Sequence, residues 1–147
     1  MSQEYSRTNT DWASLSAPSL DDFERLAEVS FARLPEQFRA LCKGVVIQVA
    51  DFPDEDVLRE MDAESPFELL GLFSGVGLAQ DSAVAESGRL PNQVFLYRRP
   101  ILDYWAEHDE TLGALITHVL VHEIGHHFGM SDEDMERIES LADLETH

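Results

Sequence analysis

The sequence predicts one domain of mixed helices and strands gathered around a single buried helix. Three observations carry that reading. The chain has 147 residues, 44% of them hydrophobic, which is enough for one domain with a real core. Two runs, 45–49 and 93–98, are strand-like, while most of the rest repeats its apolar residues at helical spacing. The third is the stretch from about Asp109 to Phe128, where Leu112, Leu115, Ile116, Val119, Leu120, Val121 and Ile124 cover nearly the whole circumference of a helix. A helix that is apolar all round is a buried one.

Residues 1–18 are polar, rich in Ser and Thr, and end at Pro18; they are expected to form a flexible arm, with Trp12 and Leu15 able to dock on the body. The domain proper is expected over 19–147. Ser19 before Leu20-Asp21-Asp22 marks a helix start. Phe23, Leu26, Ala27, Phe31 and Leu34 follow at helical spacing, and Phe38, Leu41 and Cys42 resume it after Pro35, as two short helices or one kinked one. Gly44 ends that run. Val45–Val49 is β-branched and nearly all apolar, so it reads as a strand buried on both faces. Asp54–Met61 suits a short helix.

Residues 62–92 are the least regular, with Pro66, Gly71, Gly75, Gly77, Gly88 and Pro91 around the apolar patch Phe67–Phe73. A connection that long is functional or hides short strands, and a hairpin is expected near Ser74-Gly75. Gln93–Arg98 is the second strand, its aromatic and aliphatic residues falling on both faces; it is a candidate edge for an extended peptide, or else an internal strand. Pro100 stops it, and Ile101 starts another short helix. After the long buried helix, Asp132 to about Leu144 is a helix with Met135, Ile138, Leu141 and Ala142 on one side, expected to close over the back of the long one.

The long helix carries the chemistry. His122-Glu123-Ile124-Gly125-His126 reads H-E-x-x-H. Positions i and i+4 share a helix face, so His122 and His126 offer two imidazoles to one metal ion. Glu123 follows the first ligand directly, beside the metal rather than on it. Zinc lowers the pKa of a bound water from about 15.7 to about 7, and such a carboxylate can take its proton. Catalytic zinc usually takes three protein ligands. Gly129 suits a left-handed helix end that turns the chain back, and Asp132 three residues later is an oxygen ligand zinc accepts. Asp132 also has a second reading. Ser131 can cap the last helix, with Asp134 at capping-box spacing and Asp132 in an acidic first turn; the two roles are compatible.

Four other histidines lie outside the motif. His118 is one turn before His122 but too far back to join the same tetrahedron easily, so it is expected to brace the ligands or pack. His127 points away and is expected to be a hydrogen-bonded structural histidine. His108 and His147 have no constellation around them. The donor that would stabilise a tetrahedral intermediate is open among Tyr97, Tyr104 and His118.

The charge is lopsided: 10 Lys plus Arg against 29 Asp plus Glu, formally -19. Such a surface repels phosphate backbones, so nucleic acid is not expected as a ligand. It attracts basic peptides or proteins, and equally serves solubility. The lone Cys42 cannot form an internal disulfide and reads as a small core residue. The N-terminus lacks a signal-peptide pattern and no apolar run approaches the roughly 20 residues that span a membrane, so a cytoplasmic protein with no membrane partner is expected.

At this point the chain resembles the small bacterial zincin-like proteins described as minimal zinc metallopeptidases. The resemblance covers roughly residues 20–144. It rests on Phe67–Phe73 with Gly75-Val76, on Val94–Leu102, and most specifically on His122 through Asp132, the pattern H-E-x-x-H-x-x-G-x-x-D. It implies a compact α+β zincin-like single domain with a small sheet packed on the active-site helix. It also implies Zn2+ held by His122, His126 and Asp132, Glu123 as general base, and a peptide or protein substrate. The sequence departs from true metzincins, whose methionine turn lies well downstream; Met130 and Met135 sit too near the ligands for that. Gly77 stands where the family's loop has proline. The function expected is therefore zinc-dependent hydrolysis of peptide bonds. The rival expectations are a zinc-binding regulatory or interaction protein with little turnover, and an acidic module that sequesters basic partners.

Overall fold

A computed structural model describes residues 10–75 and 92–146. A 3₁₀ turn at Trp12–Ser14 precedes helices α1 (Leu20–Ala32) and α2 (Glu36–Leu41). Strand β1 (Val46–Ala50), helix α3 (Glu55–Glu60) and a 3₁₀ turn at Pro66–Glu68 follow. Strand β2 is Gly71–Ser74 and β3 is Gln93–Tyr97. Helices α4 (Arg98–Glu107), α5 (Leu112–His127) and α6 (Asp132–Thr146) complete the chain.

Helix boundaries follow local chemistry. Ser19 and Asp22 form a reciprocal capping box at α1, each side chain accepting the other's backbone N–H. Asp54 caps α3 and Thr111 caps α5. Pro35 separates α1 from α2, so the run is two helices. Pro100 does not stop the chain: it sits in the first turn of α4, where its missing N–H costs nothing.

The three strands lie in the order β1-β3-β2, β1 parallel and β2 antiparallel to β3. β3 is thus the central strand, and the expectation that it forms an edge is corrected: the edges are β1 and β2. β2 is a short strand hidden in the irregular 62–92 segment. It ends at Ser74, and the turn expected at Ser74-Gly75 leads into residues 76–91, which lie outside the described residues, as does Gly77. β1 is also not buried on both faces. Val46 is 39% exposed and Gln48 is exposed, because only the face carrying Ile47 and Val49 joins the core.

α5 sits at the centre of the core. Its Ile116, Leu120, Val121 and Ile124 are fully buried, packed among Phe23 and Ala27 of α1, Val94 and Leu96 of β3, Ile101 of α4 and Met135 of α6. The domain is α+β with a small sheet on a buried helix, as the sequence predicts. Arg98 ties three segments together, Nε donating to the Pro18 carbonyl at 2.6 Å and a guanidinium nitrogen to Asp51 at 2.9 Å. Trp12 and Leu15 do not dock; they are 73% and 53% exposed. Residues 1–9 of the expected arm lie outside the described residues. Among the described residues no helix is long and apolar enough to cross a membrane.

Cys42 is buried, its thiol directed at the Phe38 carbonyl, and burial pushes its pKa up to about 11. Thiolate is the reactive form. Alkylation at pH 8 is therefore expected to run at least about 100-fold slower in the folded protein than in denaturant. Equal rates would show that the α2 end of the core is open.

Candidate metal centre

Where the apolar surface of α5 gives out, polar groups take over. His118, His122 and His126 recur every fourth residue and so form one ridge along the helix. The His118 and His122 rings lie 4.0 Å apart, and those of His122 and His126 5.7 Å apart. His122 is half-buried; His118 and His126 are exposed.

The turn after α5 brings the next helix onto this ridge. Gly129 has φ +76°, its N–H donates to the His126 carbonyl, and Met130 N–H donates to the Gly125 carbonyl. This is a Schellman ending, and glycine supplies the left-handed residue. Ser131 then caps α6, its hydroxyl accepting from Asp134 N–H at 3.1 Å. α6 packs closely because Gly125 leaves a notch. A Cβ there would stand 2.6 Å from Met135 Sδ, and Met135 fills the space fully buried.

One turn beyond Met135, Glu139 reaches the histidine ridge. Its two oxygens accept from His118 Nδ1 at 3.1 Å and His122 Nε2 at 2.9 Å. Burial pushes the Glu139 carboxyl up, but the hydrogen bond and charge of His118 and those of His122 outweigh it and hold it below its ordinary range. The two imidazoles shift in opposite directions. The hydrogen bond to Glu139 raises His118. Burial and then the neighbouring His118 charge lower His122. Two imidazoliums this close repel, so the exposed ring takes the proton and the half-buried one stays neutral.

Glu123 faces the sheet. It is half-buried; burial raises its pKa, opposed by the charge of His126 and by a hydrogen bond from Phe73 N–H. That N–H lies on the unpaired side of β2. Tyr97 N–H bonds the Leu70 carbonyl, so in the antiparallel ladder Leu70 and Leu72 point their bonding groups at β3, whereas Gly71 and Phe73 point theirs outward. β2 lies this close to α5 because residue 71 is glycine: a Cβ would stand 2.7 Å from Val119 Cγ1 and 2.8 Å from the Phe95 carbonyl oxygen. The Phe73 ring stacks on His127 at 3.9 Å and 18°. His127 therefore acts as a structural residue through stacking, and the hydrogen bond expected for it is not its defining contact.

Of the three donors considered from sequence, Tyr97 is nearly fully buried. Burial, then the charges of Asp54 and Glu123, push its phenol up to about 12, so it stays protonated. Tyr104 is stacked on His108 at 3.7 Å, whose ring nitrogen bonds the Tyr104 carbonyl. His118 is engaged by Glu139.

Among the described residues, the metal-ligating side chains whose ligand atoms all lie within 4.8 Å of one another are His118, His122 and Glu139. Two imidazole nitrogens and a carboxylate oxygen are a donor set zinc accepts. His126 lies on the same ridge but outside this group, and Asp132 is exposed in the first turn of α6. Sequence reasoning passed over Glu139. Its signal was an acidic residue inside the apolar stripe Met135, Ile138, Ala142, where a solvated side chain would be out of place.

Residues 42–141 match the family model of the zincin-like metallopeptidases, more than half of the chain and the whole of this site. The chain belongs to that family. No curated protein matches it.

The fit of β2 against α5 has a direct test. Gly71→Ala must displace either the Val119 side chain or the Phe95 backbone. It is expected to lower the urea unfolding free energy by about 1–3 kcal/mol. An unchanged midpoint and slope would mean that β2 is not held at this distance.

Proposed function

We propose that this protein is a zinc-dependent peptidase in which Glu123 is the general base. The observation that carries the reading is the placement of Glu123. It lies next to His122 in the helix, feels the charge of His126, and is anchored at one end by an amide of the free strand edge. The family membership supports zinc as the metal, and the donor chemistry along the ridge fits it. His122 and His126, with Asp132 as the third ligand of the motif, are the residues proposed to hold it during turnover. Zinc, when bound, supplies a Lewis acid that polarises a carbonyl and acidifies water.

The chain's own residues do the rest. Burial raises the Glu123 pKa, which makes its carboxylate a better proton acceptor. The Phe73 N–H holds the side chain in place. The proton accepted from water is then passed to the leaving amine. The outward groups of Gly71 and Phe73 give an extended peptide a strand to pair with, β2 taking the place expected from sequence for β3. Tyr97, protonated and within the field of Glu123, is the remaining candidate donor to the carbonyl under attack. The net charge of -19 supports a basic peptide or protein as substrate.

A peptide-library digest comparing the zinc-loaded protein with Glu123→Gln tests this. The wild type is expected to cleave. Glu123→Gln should keep its zinc and lose about 10²–10⁴-fold in rate. Zinc retained by both proteins with no cleavage by either would instead leave a zinc-binding protein without turnover.

A further inference from the structure

We propose that, before substrate binds, the chain holds its zinc with His118, His122 and Glu139, one helical turn earlier than the H-E-x-x-H register. The inference rests on the reading of the chain as a zinc protein and adds a resting ligand set to it.

The distances carry it. Ligand atoms about 2.0–2.1 Å from a tetrahedral zinc lie roughly 3.3 Å from one another. Glu139 oxygens already lie 2.9 Å from His122 Nε2 and 3.1 Å from His118 Nδ1. Only small outward shifts would admit an ion. The orientation of His122 points the same way, since its Nε2 is directed at Glu139. The pairing of rings agrees: His122 lies nearer His118 than His126, at 4.0 Å against 5.7 Å.

The two carboxylates differ in how they are held. Glu139 is positioned by the packing of Met135 into the Gly125 notch one turn away, and its side chain is only 25% exposed. Asp132 stands exposed at the helix start. Two imidazoles and a glutamate form a ligand combination found in catalytic zinc sites. His122 belongs to both sets, and one ring nitrogen serves one ion, so the registers exclude each other. Occupying the earlier one leaves His126 and Asp132 free. Moving the ion forward by one turn releases His118 and Glu139 and engages the motif.

Zinc-edge X-ray absorption on substrate-free protein separates the registers by counting imidazoles, with affinity read by competition against a chromophoric chelator. The variants are His118→Asn, His126→Asn and Glu139→Gln, each checked for folding by circular dichroism. The wild type is expected to show two imidazoles. His118→Asn should leave one, and Glu139→Gln should weaken zinc binding by about 10–100-fold. His126→Asn should leave two, with affinity unchanged. The reverse pattern, with His126→Asn losing an imidazole and His118→Asn keeping both, would overturn the resting set and leave the peptidase reading standing. Three imidazoles in the wild type would also overturn it, because the registers would then be one site. A wild type that takes up no zinc would overturn both the resting set and the zinc reading.

Discussion

A helix that is apolar on nearly every side has to be surrounded, and the burial of α5 dictates the rest of this fold. α1, the sheet, α4 and α6 each contribute side chains to its cover. Where the cover stops, the exposed ridge carries histidines and a glutamate in place of aliphatic groups. Neighbours can approach only where a side chain is missing. Gly71 lets the edge strand reach Val119, and Gly125 lets Met135 reach the helix axis. Each close approach delivers a functional group to the ridge. The strand brings the Phe73 amide to Glu123, and α6 brings Glu139 to His118 and His122. Core packing and site assembly are here the same event.

The electrostatics follow from that arrangement. Glu123 and Glu139 flank the histidine ridge and are driven in opposite directions. Glu123 is raised because burial outweighs one amide and one distant charge. Glu139 is lowered because two imidazoles bond it directly. One carboxylate is thereby suited to accepting protons and the other to remaining an anion. A chain with 29 acidic residues keeps these two apart in role through local partners, since its overall charge acts on both alike.

Much of this was legible in the sequence. The apolar circumference of Leu112–Ile124 announced the central helix, and the Ser19, Asp54 and Ser131 caps marked helix starts that the structure reproduces. β2 was not legible, because four residues starting at a glycine have neither the length nor the alternation to stand out. The exposure of β1 was missed for a related reason: an apolar run says that a strand is suited to burial, while its place at the sheet edge depends on pairing with β3, far along the chain. Glu123 and the histidines could be read from spacing within one helix. Glu139 could not, because its meeting with His118 spans two helices and depends on the turn at Gly129 and the notch at Gly125.

The Schellman turn makes that last dependence mechanical. Gly129 and Met130 are hydrogen-bonded back to α5, so α6 leaves from a fixed pivot. Asp132 stands next to the pivot, whereas Glu139 lies seven residues out along the helix, about 10 Å at 1.5 Å per residue. Rocking α6 by some 10° would swing Glu139 through roughly 2 Å while Asp132 scarcely moved. The chain thus has a built-in lever, short arm at the aspartate and long arm at the glutamate, through which a small tilt acts on one acid and spares the other.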